Sequence, residues 1–531
     1  MECNKIFAFN LMVNIMKILR IERFLFVLSI ILLPIAYAPK AIFFSSFGIF
    51  GTAYSIYPMI LGSMILLYDI KKNKDMYKKV LAHFKLLISR YCLLYIAILT
   101  FSLIIGLFKF PYYDQVDIQS LHKVKFLIDK FPMYKDILDG PLGIAIILFL
   151  KNIKVIIGNV CIPAAFVMWI LCIYKKNWKL LFNDMWNGIF ISLSIMISYS
   201  VVEYFQLTNH EWARNFLIQV NPYIHEITTK AAYGDWWPPL LWMKRMRSVC
   251  EEPSYLGIIF AMFVPIFAVS IFKRNRKIVQ ILLFFFLFCI MVMLMASQSK
   301  TGLVIMIAYA ILLCILFRRK FKKLVVCGLI LAIGGGVGLQ ITNTIKQGYI
   351  FQHTSPTQIT AVKYVKDNVI GAGNVNAGSN TARYSLIYAD LQIFKQNPVF
   401  GVGEGLLNGY VTENIPKWGK KSAEVQMWIK RQKERNILGS GYTCTNQYTR
   451  TLATNGFISL IVLFLPLGYV LYKIKKYWKK MQIKEQEYVG VVIIALISIL
   501  IAMLAGRLFL SYYFLLTFLL CYLYSREGQR T

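Results

Sequence analysis

In the stretch RMRSVCEEPSYLGIIF, Arg245, Arg247, Glu251 and Glu252 run straight into an apolar segment that begins near Ser254. Guanidinium groups bind phosphate oxygens in bidentate fashion, and a neighbouring carboxylate can take a proton. The turn SQSKTGLV sets Lys300 beside Ser297 and Ser299 between two apolar runs. NTARYSLIYADLQIFKQNPVFGVGEG reads as an amphipathic helix carrying Arg383, stopping before Asn397 and Pro398 at a glycine-rich turn. CTNQYTRTLATNGFISLIVLF leads polar residues into another apolar run. Basic groups and a carboxylate from distant segments suit an anionic, membrane-anchored ligand, because such residues beside hydrocarbon are costly without a role. Plainer roles compete with this one: Glu251 and Glu252 can cap a helix or meet its dipole, and Lys300 can reach the headgroups.

The elements that must position these groups are membrane helices. Of 531 residues, 58% are hydrophobic and 16% charged, and the mean hydropathy is +0.57. This is the composition of an all-α polytopic membrane protein and excludes a soluble one. Apolar runs occupy 24–44, 48–69, 86–108, 153–173, 186–206, 253–272, 278–296, 301–317, 323–341, 455–472, 488–506 and 508–524. Each is about long enough to cross a hydrocarbon core of about 30 Å, which predicts about twelve spans. The first, FLFVLSIILLPIAYA, reads as an uncleaved helix rather than a signal peptide, because many spans follow it.

The net charge of +34 matters chiefly through its placement. Basic clusters start at Lys71, Lys175, Lys273, Arg318 and Lys473, all in alternate loops. The positive-inside rule assigns those loops, and with an even number of spans both termini, to the cytoplasm. The segments 110–140, 207–251 and 342–450 are then outside. Three regions result: nine spans over 1–341, a large outer loop over 342–450 with short helices of its own, and three spans over 451–531.

Other features read as structural. Gly401, Gly403 and Gly405 do not form a phosphate-binding loop, since no Lys-Ser/Thr follows and no strand precedes them. They let the backbone approach a neighbour closely. Trp236, Trp237 and Trp242 suit the headgroup level, and KKSAEVQMWIKRQKER reads as a solvated helix. The ten cysteines show no metal-like spacing. Cys250 and Cys444 share the outer face, where a disulfide forms only if the geometry allows it. No acidic cluster points to Mg²⁺, so neither metal nor cofactor is expected.

Taken together, EEPSYLG, SQSKTGLV, ARYSLIYADLQIFKQNPVFGVGEG and TNQYTRTLATNGFISLIVLFL resemble, in order and position, the O-antigen polymerase and O-antigen ligase superfamily. The resemblance covers roughly 245–470. It implies a GT-C-like glycosyltransferase of the bacterial cytoplasmic membrane, active on the outer face without a metal. The implied donor is a glycan on undecaprenyl diphosphate. In a polymerase of O-antigen or capsule type the acceptor is the next lipid-linked repeat unit, and in a ligase it is lipid A–core oligosaccharide. A chain-length regulator and a flippase are further implied partners, and nucleic acid is not. Family ligases usually have a His at the position of Thr445, followed here by Asn446, with Gly456 beyond. A threonine cannot act as the expected base, which favours a polymerase over a ligase. A flippase without catalysis is the third reading.

On this resemblance Glu252, Arg383 and Arg247 are the candidate catalytic groups. Arg245, Lys300, Ser297, Glu251, Thr445, Asn446, Arg450 and Tyr255 are the candidates for holding diphosphate or sugar. Fixed cations would stabilise the charge gathering on the departing diphosphate. Glu252 would take the acceptor's proton, with His353 and His225 behind it.

Overall fold

The structure, a computed structural model, describes residues 20–39, 53–117, 122–138, 140–226, 238–274, 276–350, 360–368, 374, 379–438 and 441–527. Among the described residues the regular structure is helical and there is no strand. The longer helices are α1 (20–31), α2 (Ile56–Lys72), α3 (Lys74–Lys109), α4 (Pro141–Tyr174), α5 (Trp178–Leu207), α6 (Glu211–Ile224), α7 (Pro253–Lys273), α8 (Lys277–Ser297), α9 (Lys300–Leu316), α10 (Phe321–Ile350), α11 (Ser379–Gln396), α12 (Leu407–Asn414), α13 (Ala423–Arg435), α14 (Gln447–Trp478), α15 (Ile483–Ala502) and α16 (Leu510–Glu527). Eight of these, α3, α4, α5, α7, α8, α10, α14 and α15, are long and apolar enough to cross a membrane, and α9 is apolar but shorter. The remaining expected spans fall on α1, α2 and α16. The protein is an all-α polytopic membrane protein.

Helix α7 forms the centre. Nearly all of its residues from Tyr255 to Phe272 are buried, and it packs on α9 and α15. Its crossing with α9 depends on two glycines. A Cβ added at Gly257 would lie 2.4 Å from the Cα of Gly302, and one added at Gly302 would lie 2.8 Å from the Cα of Gly257. Small residues at such a crossing let backbones touch where side chains would hold them apart. The contact therefore sets the first turn of α9 against the first turn of α7.

The five basic clusters meet at one end of the bundle, linked by shared partners. Lys273 and Lys320 reach Glu487 at 3.4 and 2.6 Å, Arg526 pairs with Glu485, and Lys473 and His83 both reach Glu527 at 3.2 Å. Lys176 lies over Tyr524 and Lys175 over Tyr77.

At the other end, the segment from α11 to Tyr442 makes a cap with a core of its own. Ala382, Leu386, Ala389 and Ile393, one stripe of α11 at helical spacing, pack with Tyr410, Trp428 and Tyr442 and with Leu103, Phe110, Ile144 and Leu148 from the ends of α3 and α4. Helix α13, expected to be solvated, buries Val425, Trp428 and Gln432 here. Its apolar positions are few but share a face, so its strongly charged composition hid a packed side.

The glycine-rich turn is a strap laid across α14. Val402 and Gly403 donate to the carbonyls of Ala453 and Thr454, and Phe457 donates to Pro398. At that level α14 bends at Gly456, whose φ of +75° favours glycine. A Cβ there would meet the Val399 carbonyl at 2.0 Å. The Ser102 hydroxyl donates to the Phe400 carbonyl at 2.6 Å, fixing the strap to α3 as well.

Candidate functional site

Where the cap meets α7, α9, α14 and α15, the structure encloses a cavity of about 270 Å³. Arg245, Lys300, Arg383 and Thr445, four of the residues singled out from sequence, line it together. Ser254, Ser299, Asn380 and Tyr384 add hydroxyl and amide groups, and Val304, Ile387, Ile501 and Leu504 an apolar wall. The segments supplying the basic groups are far apart in the chain, and local structure explains how each arrives.

Arg245 is presented by a tightly folded loop. The carboxylate of Glu203 accepts from the backbone N–H groups of Arg247 and Ser248 at 3.0 and 2.8 Å, and the Ser248 hydroxyl donates to Met196 at 2.8 Å. Arg247 is 1% exposed. Its guanidinium donates to the carbonyls of Pro239 and Leu240 at 3.1 and 3.2 Å. It binds the loop's own backbone and does not join the cavity, whereas Arg245, two residues earlier, does.

Lys300 opens α9, capped by the Ser299 hydroxyl, which accepts from Gly302 at 3.0 Å. Ser297 donates to Leu294 at 2.7 Å, so its hydroxyl is spent inside the turn. The Gln298 amide donates to Lys244 at 2.8 Å, and Met246 donates to Ala296 at 3.1 Å. These two bonds stitch the Lys300 turn to the Arg245 loop. Arg383 comes from the first turns of α11, held over the site because the opposite face of that helix fills the cap core. Thr445 donates to the Arg383 carbonyl at 3.4 Å, and Asn446 caps α14 by accepting from Tyr448 and Thr449 at 2.9 and 3.1 Å.

The carboxylates divide. Glu252 stands at the N-cap position of α7 without capping it, and instead accepts from the Ser254 hydroxyl that lines the cavity. Its charge acts on Arg245 and on Glu424, and Arg383 acts on the same two groups. Glu251 points elsewhere. It is buried beside Arg507, with one carboxylate oxygen free of hydrogen bonds. Burial pushes its pKa up to about 7 against the pull of Arg507. Tyr255 packs on Phe509. His225 donates through Nδ1 to the Ala36 carbonyl at 2.8 Å, and burial pushes its pKa down to about 3. It does not line the cavity. His353, Trp236 and Trp237 lie outside the described residues. Cys250 and Cys444 are both free thiols.

Arg450 faces a second cavity, where it pairs with Asp390 at 3.7 Å. Asp390 is raised to about 6 by burial, opposed by Arg450 and Thr449. Sequence reasoning passed over Arg507, Asp390 and Glu404. Arg507 is a lone arginine in a short turn, and Asp390 looks solvent-facing until the cap covers it. Glu404 hides among the glycines of the strap, and burial raises its pKa. For Arg507, the cost of placing an arginine beside apolar runs was the available signal.

Residues 283–465 match a family model described as O-antigen ligase. The matched stretch carries Lys300, Arg383, Thr445, Asn446 and Arg450, and it excludes the Arg245–Glu252 loop and Arg507. No curated protein and no solved structure matches the chain.

Proposed function

Since this chain belongs to the O-antigen ligase and polymerase superfamily, we propose that it polymerises a surface polysaccharide, transferring a growing glycan from undecaprenyl diphosphate to a hydroxyl of the next lipid-linked repeat unit. Membership itself carries glycosyltransferase-like work in polysaccharide synthesis on lipid-linked oligosaccharides. The observation that carries the finer reading is the meeting of Arg245, Lys300 and Arg383 in one cavity with an apolar wall. In this reading the cavity opens on the outer face of the cytoplasmic membrane and both termini are cytoplasmic.

As the acceptor oxygen attacks the anomeric carbon, the bond to the diphosphate oxygen breaks and that oxygen leaves with the electron pair. Negative charge grows on the lipid diphosphate. Three fixed cations oppose that growth more strongly than they stabilise the ground state, which lowers the barrier. The hydroxyl's proton passes to Glu252, held at the cavity by Ser254 and kept near Arg245. The matched residues hold the two sugars in line, and positioning supplies much of the remaining acceleration. No step in this scheme draws on a metal ion. Thr445, standing where ligases usually have a His, supports the polymerase over the ligase.

Purified protein in proteoliposomes, given lipid-linked repeat units alone, should build a ladder of repeats. Glu252→Gln and Arg383→Ala should each abolish it while the protein still reaches the membrane. Transfer only when lipid A–core is added would replace the polymerase with a ligase, and normal ladders from both variants would sink the site.

A further inference from the structure

The cavity around Arg450 lies on the other flank of the first turns of α14. Cys444 and Thr445, neighbours in the chain, mark the divide, one lining each cavity. The second cavity is about 330 Å³, and its charges are balanced. Arg450 is matched by Asp390 and acts on Glu404, and much of the remaining wall is amide and hydroxyl, from Asn408, Gln447, Thr451 and Asn455. Tyr95 offers a ring. Many neutral donors and acceptors with little net charge suit the hydroxyls of a sugar better than a bare diphosphate.

An apolar groove continues from this cavity, bounded by Leu87 and Tyr91 of α3, Val167 of α4, Pro466 of α14 and Leu520 of α16. Asn159 lines both spaces. It sits in a π-turn, Ile157–Cys161, within α4, a distortion frequent at functional positions. Its side-chain oxygen is buried without a protein partner. The order is the same on three walls, with the polar level nearer the cap: Tyr95 and Leu99 against Leu87 and Tyr91 on α3, Val155 against Val167 on α4, and Gln447 to Asn455 against Leu463 to Tyr469 on α14. From Leu99 to Leu87 the distance along α3 is about 18 Å at 1.5 Å per residue. Polar head space toward the cap and apolar tail space toward the basic end make the outline of an amphiphile reaching roughly half-way through a bilayer.

We propose that this cavity and groove are a second lipid-linked glycan site, taking a polyprenyl chain in the groove and its glycan in the cavity. The chain then holds two lipid-linked substrates at once, one on each flank of α14, and the second supplies the attacking hydroxyl. The identity of that lipid rests on the polymerase reading.

The test is photocrosslinking with undecaprenyl diphosphate N-acetylglucosamine bearing a diazirine on its polyprenyl chain, applied to the full chain in nanodiscs and mapped by peptide mass spectrometry. The expected result is crosslinks on groove residues of α3, α4, α14 and α16 that the untagged compound competes away at least tenfold better than phosphatidylglycerol. Ala164→Trp, which fills the groove, should cut those crosslinks at least tenfold, with Ala164→Ser as the conservative control. Crosslinks confined to the wall of the Arg245, Lys300 and Arg383 cavity would overturn the second site and leave the polymerase reading standing. Groove crosslinks competed equally by phosphatidylglycerol would make the groove a general lipid seat and overturn the proposal. Crosslinks at neither place would overturn both.

Discussion

The contact between Gly257 and Gly302 makes the site vulnerable to one methyl group. In Gly257→Ala the new Cβ would stand 2.4 Å from the Cα of Gly302, 3.1 Å from its nitrogen and 3.2 Å from the Ser299 hydroxyl. Ordinary contact begins near 3.4 Å, so α7 and α9 must part by at least about 1 Å at this level. Backbone stands on both sides, and no side chain can turn away to absorb the change. Over-packing of this kind costs about 1 to 3 kcal/mol of stability. The larger effect should fall on the reaction, because Lys300 stands two residues before Gly302 in the first turn of α9, while Ser254 and Glu252 open α7. A displacement of about 1 Å in a reacting geometry can cost about 10²-fold in rate. Gly257→Ala should therefore slow ladder formation in proteoliposomes by about 10²-fold, while thermal unfolding in detergent drops only modestly. Gly302→Ala should act in the same direction. A Gly257→Ala protein that folds, inserts and builds ladders at the unaltered rate would refute the claim that this crossing sets the site.

Three further outcomes follow from the geometry. Arg245→Ala should reduce transfer by about 10²-fold or more, as removal of a charge-stabilising donor does elsewhere, whereas Arg247→Ala should chiefly lower the unfolding temperature because its guanidinium holds backbone carbonyls; rates and melting curves for both separate the roles. Glu251 has a folded pKa of about 7 against an ordinary 4.5, so the folded state binds the extra proton and stability falls as pH rises from about 4.5 through about 7; Glu251→Gln, melted in parallel with the unaltered chain at pH 5 and pH 8, should gain relative stability at pH 8, and an equal difference at both would contradict the shift. Asn446→Ala should cost about 1 kcal/mol through loss of the α14 cap, and Asn446→Asp, which keeps an acceptor for the same two amides, should restore most of the melting temperature.

Much of this arrangement was legible because it rests on composition. Apolar runs marked the helices, and Arg245, Lys300, Arg383 and Thr445 lie together as their residue types and shared motifs led one to expect. What sequence could not resolve is direction. Arg245 and Arg247 have the same charge and nearly the same position, yet one lines the cavity and the other is consumed by its own loop, a difference set by the carboxylate of Glu203 on a distant helix. Glu251 and Glu252 part for a similar reason. Arg450 shares a motif with Thr445 but lines the other cavity, because Thr445 lies ahead of the Asn446 cap whereas Arg450 projects from the first turn of α14. The buried side of α13 and the burial of Asp390 depend on the cap closing over them, which no local pattern encodes.

The strap across α14 also bears on how the chain is assembled. Amides and carbonyls freed at a helix bend in an apolar layer cost several kcal/mol each if nothing takes them up, and here the partners come from Pro398 to Gly403, a stretch made before the helix it serves. The bend is thus stable only after the strap has docked, so α14 cannot reach its final shape as an independent transmembrane unit. Synthesis order favours the outcome: the strap is already waiting when α14 emerges. Removal of the cap would leave a helix free to straighten past Gly456, turning Thr445 and Arg450 away from the two cavities they line and erasing both at once.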